Sequence, residues 1–169
     1  MDVEWPATRL NFTYFIFLNS GVRGPFLPQW TPRGWHWSQA FTSLLGAKPP
    51  GSDSVVHLVG TSITCISPND MCVEGDPRCA GPKVEGFTTA TDIVGMRIFL
   101  ASTVFEEHVT KDDAVMRGEY MLSRTMLDSG HNLASLQLAY KDVDWADRRN
   151  WRCNGYRFAA RNLRYFGTS

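Results

Sequence analysis

Three observations predict an α/β fold with a mixed or parallel sheet flanked by helices. Residues 11–19, 54–66 and 132–140 are short runs rich in branched and aromatic side chains, with the length of strands. Between them, apolar residues recur every three to four positions, which is the spacing of one helix face. Strand and helix patterns thus alternate along the chain, the order of a sheet with crossover helices. At 169 residues, with 43% hydrophobic and 20% charged side chains, the chain has the size and composition of one ordered domain, 1–169.

The first run, NFTYFIFLN, carries apolar side chains on both parities. It predicts a strand buried on both faces at the centre of the sheet. Few residues precede it, so a fold incomplete at its N terminus is expected. Asn19-Ser20-Gly21 stops the strand, and Gly24-Pro25 with Pro28 keeps the following stretch irregular. Trp37, Ala40, Phe41, Leu44 and Leu45 then form a helical stripe that Gly46 ends. Residues 54–66, SVVHLVGTSITCI, predict a second strand bent near Gly60-Thr61-Ser62, and a loop rich in proline and cysteine follows.

An extended piece is expected at 87–90, then a helix capped by Asp92 or Thr91 with Ile93, Met96 and Leu100 on one stripe. Thr110 with Asp113 resembles a capping box and opens the strongest helix pattern, 114–128, which Gly130 terminates. NLASLQLAY, 132–140, alternates and predicts a closing strand. From about 141 an irregular, arginine-rich tail is expected.

Formal net charge is zero, which argues against a protein whose main work is holding phosphate backbone or an anionic membrane. The charge is unevenly spread: six arginines and no acid from Arg148 onward leave residues 1–147 at −6. An RNA-binding use of that tail, with Trp145, Trp151, Tyr156 and Phe158 as stacking partners, is one reading; a tail lying on the acidic body is the other. The apolar run 12–18 is far short of the roughly 20 residues of a spanning helix. The sequence carries no address, so cytoplasm is the default expectation, and a Golgi or secretory lumen would require a leader or anchor upstream.

Cys65, Cys72 and Cys79 are assigned to the loop, at intervals unlike those of structural zinc sites. Free or buried thiols are the working expectation, with a Cys65–Cys153 pair the alternative in an oxidising lumen. Asn11-Phe12-Thr13 is a glycosylation sequon, read as coincidental because it abuts the first strand.

In an open α/β sheet, ligands lie beyond the carboxyl ends of the strands. The turn after the first strand occupies such a place: its small residues allow close backbone approach, and Arg23 offers a fork of donors for phosphate or carboxylate. Gly21 and Gly24 solving a turn, with Arg23 paired within the fold, explain the same residues equally well. Glu119, in the helix, is suited to act as a general base if it faces a cleft, and is otherwise a solvated or arginine-paired acid.

The segment GEYMLSRTMLDSGHNL resembles part of the inverting nucleotide-sugar glycosyltransferases of GT-A fold. YFIFLNSGVRGPFLP, VVHLVGTSITC, VEGFTTATDIVGM and YKDVDWADRRNWRCN, in this order, are similar to a group of glycosyltransferase-like proteins related to the rhamnan-synthesis and capsular-polysaccharide transferases. The resemblance implies transfer of a sugar from a nucleotide-sugar donor to a hydroxyl of a glycan or glycoprotein acceptor, in polysaccharide or glycoprotein assembly. It puts Glu119 where the family has its catalytic aspartate. It further implies donor contacts from Asn19, Ser20, Arg23 and Lys83, and an acceptor site shaped by Asp144 and Trp145. His131 stands where related sequences carry an aromatic and is given no role. Asn19-Ser20-Gly21 replaces the paired aspartates that hold a divalent ion in the family, so the sequence assigns neither a metal nor another cofactor. A carbohydrate-binding or scaffold relative without catalysis is the alternative of a different class.

Overall fold

A computed structural model describes residues 12–66 and 80–153. The strands are β1 (Tyr14–Leu18), β2 (Val56–Gly60), β3 (Ile63–Ile66), β4 (Gly81–Val84), β5 (Thr88–Asp92) and β6 (Asn132–Ser135). The helices are α1 (Gln39–Thr42), α2 (Ile93–Leu100), α3 (Lys111–Asp113) and α4 (Tyr120–Asp128). A π-helical segment, Ala114–Glu119, joins α3 to α4, and 3₁₀ turns lie at Leu138–Tyr140 and Arg148–Arg152. The chain is a mixed α/β structure.

Among the described residues, four strands form one sheet in the order β1-β5-β2-β6. β5 runs antiparallel to both β1 and β2, whereas β2 and β6 are parallel. β1, β2 and β6 therefore point the same way, and their C-terminal ends share one end of the sheet with the start of β5. β3 and β4 form a separate antiparallel pair. The bend expected at Gly60-Thr61-Ser62 is what carries the chain from one sheet to the other. A Cβ at Gly60 would overlap Val84 Cγ1, so the close approach of β2 to β4 requires glycine there.

Two apolar clusters sandwich the main sheet. Phe41, Val56, Val59 and Ala90 pack beneath α1 with Trp37, Leu44 and Leu45 of the predicted stripe. On the other face Leu58, Leu133, Phe99 of α2, Met126 and Leu127 of α4, and Trp145 form the larger cluster, continuous with Ile63, Cys65 and Val84. All five residues of β2 are buried, as suits a strand held between two others, β5 and β6. β2 has an irregularity of register against β6 between Val56 and Leu58, at His57.

Several expectations are corrected. β1 lies at the edge of the sheet among the described residues, paired only with β5, and its terminal residues are exposed. Its apolar side chains on both parities have a different cause: Ile16 joins the α1 cluster, while Phe17 meets Phe105, which in turn meets Phe99, on the opposite face. Centrality in the sheet does not follow from that pattern.

The run 132–140 does not continue as a strand past Ser135. Leu136 N–H still bonds Gly60 O, where β2 ends, and Gln137 turns inward so that its Oε1 accepts Ile63 N–H at 2.7 Å. Cys65 is in β3 rather than a loop, and it is disulfide-bonded to Cys153 with a Cα–Cα distance of 5.6 Å. The expectation of free thiols fails at this pair. Cys72, Cys79, the sequon residue Asn11, and Tyr156 and Phe158 lie outside the described residues.

Candidate functional site

The end of the sheet where β1, β2 and β6 finish brings two of the candidate residues to one turn. Asn19 follows β1; its N–H bonds Phe87 O at 3.0 Å, and its Oδ1 accepts Gly21 N–H at 2.9 Å. Gly86, the residue before Phe87, donates its N–H to Glu119 Oε1 at 3.1 Å. The turn entering β5 is thus held by Asn19 on one side and by Glu119 on the other. A Cβ at Gly86 would overlap Cγ, Cδ and Oε1 of Glu119, so the carboxylate occupies the space glycine leaves.

Glu119 is fixed by a row of bonds between β4 and the helix that it begins. Lys83 Nζ donates to Tyr120 O at 2.9 Å, and Val84 N–H donates to Ser123 Oγ at 2.8 Å. Glu119 is the last residue of the π-helical segment, a conformation that is rare and recurs at functional sites. Thr110, the predicted cap, accepts Asp113 N–H at 3.1 Å and starts this helical stretch.

Ser20 and Arg23 are exposed on the loop after β1, beside Asn19. Lys83 is not on an open loop. It lies in β4, only 3% exposed, with its ammonium bonded to a backbone carbonyl, so it acts on the position of α4 rather than on a ligand in solvent. Asp144 and Trp145 sit at the start of β6, the end of the sheet opposite to Asn19 and Glu119. Asp144 Oδ1 accepts Asn132 Nδ2–H at 2.6 Å and Ala146 N–H at 3.0 Å, and Asn132 Oδ1 accepts Trp145 N–H at 3.0 Å. Trp145 is fully buried, with Tyr140 edge-on at 5.1 Å between ring centroids. Its indole is a core side chain and offers no open face to a sugar. Burial there pushes the Tyr140 phenol above its ordinary pKa.

The strand end does not fit a divalent ion. Asn19 spends its side-chain oxygen on Gly21 N–H, and among the described residues no cluster of three or more His, Cys, Asp or Glu is arranged to hold a metal. In the described part of the arginine tail, Arg148 and Arg149 are exposed and have partners on neighbouring residues. Arg148 and Arg124 both lie over the Trp151 ring, at 5.2 and 5.3 Å, and Arg149 pairs with Asp147, holding that carboxyl below its ordinary range. No described helix is long and apolar enough to cross a membrane.

Gly86 and Ser123 are the positioning residues that sequence reasoning missed. Gly86 lies two residues after β4, and its need for a missing side chain becomes visible only when Glu119 is seen against it. Comparison with protein-family models, curated protein sequences and solved structures finds no match to this chain.

Proposed function

We propose that the chain is a glycosyltransferase-like domain that takes a nucleotide-sugar donor beyond the ends of β1 and β2, with Glu119 as the base. The observation that supports this most is the meeting of Asn19, the Gly86-Phe87 turn and Glu119 at that end of the sheet. A carboxylate held there is suited to remove the proton of an acceptor hydroxyl as its oxygen attacks the anomeric carbon and the nucleoside diphosphate leaves. Backbone N–H groups of the loop after β1 and the exposed Arg23 are suited to offset the charge on that leaving group. No step is routed through a metal.

Glu119→Gln keeps the size and a hydrogen-bond acceptor while removing the base. Expected is a fall in sugar transfer of about 10²-fold or more with donor affinity retained, measured by transfer assay and calorimetry; unchanged transfer sinks the base assignment. A second reading, a carbohydrate-binding or scaffold protein of glycan assembly without catalysis, is favoured by the burial of Lys83 and Trp145, which takes one donor contact and the acceptor platform out of solvent. Titration with glycans that gives heat, while no nucleotide sugar does, selects that reading.

A further inference from the structure

A cluster of three titratable side chains lies at the other end of the sheet, and the proposed chemistry does not use it. His57 Nδ1 and Asp92 Oδ2 are 2.6 Å apart and both groups are nearly buried. The His131 ring stands edge-on to the His57 ring, with centroids 4.6 Å apart. Each residue belongs to a different element. His57 is at the irregularity of β2, a device that re-aims a side chain. Asp92 ends β5 and caps α2 through Val94 N–H and Gly95 N–H, both at 3.0 Å. His131 precedes β6, and its N–H bonds Met126 O of α4.

We propose that His57, Asp92 and His131 form a proton-sensitive latch that clamps the N terminus of α2 to β2 and β6 and loosens when His131 is protonated. Asp92 Oδ1 serves α2 while Oδ2 serves His57, so this one carboxylate links helix and strand. A proton on His131 puts a positive charge against the His57 ring and within the field of the same carboxylate. α2 has little room to adjust, because a Cβ at Gly95 would overlap Thr91 Oγ1 and crowd His57 O and Met126 Cε.

Next to His131 in sequence, Asn132 Nδ2–H is bonded to the Asp144 carboxylate at 2.6 Å. β2 contributes His57 and the β5–α2 junction contributes Asp92. α4 contributes uncharged Met126, and its Asp128 is taken by Arg124 at 2.7 Å. Asp53, on the loop entering β2, is exposed.

Burial first, then His57, holds the His131 imidazole below its ordinary value of 6.5, with Asp92 opposing. The folded chain therefore binds that proton more weakly than the unfolded chain. The stability carried by neutral His131 is complete above 6.5 and is lost as pH falls below it.

The test uses the whole chain: imidazole C–H shifts by NMR, urea unfolding, and amide exchange at Val94 and Gly95, each followed from neutral to mildly acidic pH. His131→Phe keeps an edge-on ring without a titrating nitrogen. Expected is a wild-type folding equilibrium that weakens on acidification, by at most about tenfold per pH unit for one group. His131→Phe should show a flatter profile and no acid-induced loss of protection at the two amides. A flat wild-type profile, or a decline as steep in His131→Phe, overturns the latch. If that variant does not fold, the wild type decides alone: a His131 midpoint at or above 6.5, or unchanged protection at Val94 and Gly95, overturns it.

Discussion

Gly86 and Glu119 behave as one unit. The carboxylate fills the volume of the missing Cβ and accepts the N–H beneath it, so a methyl at Gly86 must push Glu119 out of its place. Gly86→Ala is expected to cost about 1–3 kcal/mol, as overpacking does, and distinctly less in a Glu119→Ala background. Urea unfolding of the four chains of that cycle measures the coupling; equal costs in both backgrounds would show that the two residues are independent. Glu119 was legible as a candidate from its helix and neighbours, whereas the roles of Lys83 and Trp145 were not. An aromatic beside an aspartate reads the same in sequence whether its indole is in a cleft or in the core. Only the packing of Tyr140, and the turn bonded through Asn132, decides for the core.

Helix starts were the most legible elements, because a cap is a local bond between residues close in sequence. Asp92 and Thr110 both cap where expected. Asp92 does more than its sequence position reveals, since His57 is 35 residues away. Asp92→Ala therefore removes a cap, about 1 kcal/mol, and leaves a nearly buried imidazole nitrogen without its partner, about 1–3 kcal/mol more. A combined loss near 2–4 kcal/mol by urea unfolding is expected, and a loss confined to the cap value would show that the His57 bond contributes nothing. Strand positions were less legible than strand existence. The short runs were seen, but which of them lies inside the sheet depends on partners far along the chain. Among the described residues β1, apolar on both parities, is at the edge, while β2, with a histidine near its start, is interior.

At the scale of the molecule, the alternation of strands and helices was enough to predict a mixed α/β architecture, and one covalent constraint was left open by the sequence. The Cys65–Cys153 bond closes a loop with a sequence separation of 88 and ties β3 to the segment after the last 3₁₀ turn. Replacing both cysteines by serine should lower stability by about 4–5 kcal/mol if loop entropy dominates. Matched unfolding curves of the oxidised chain, the reduced chain and the double variant measure this; coincident curves would remove the bond from the stability of the fold. Four cysteines allow three full pairings, and spacing does not choose among them. The choice of Cys65 and Cys153 comes from β3 lying beside the chain that leaves Trp151.

The sheet order also has a consequence for how the chain is made. β2 is flanked by β5 and β6, and both are synthesised after it: Leu58 pairs with Thr91 on one side and Leu133 on the other. A nascent chain leaving the ribosome therefore carries VHLVG, every residue of which is buried in the finished protein, without either neighbour for much of its emergence. Such a strand is a part of the growing chain that a chaperone, or an identical nascent chain on the same message, can meet before its own neighbours exist.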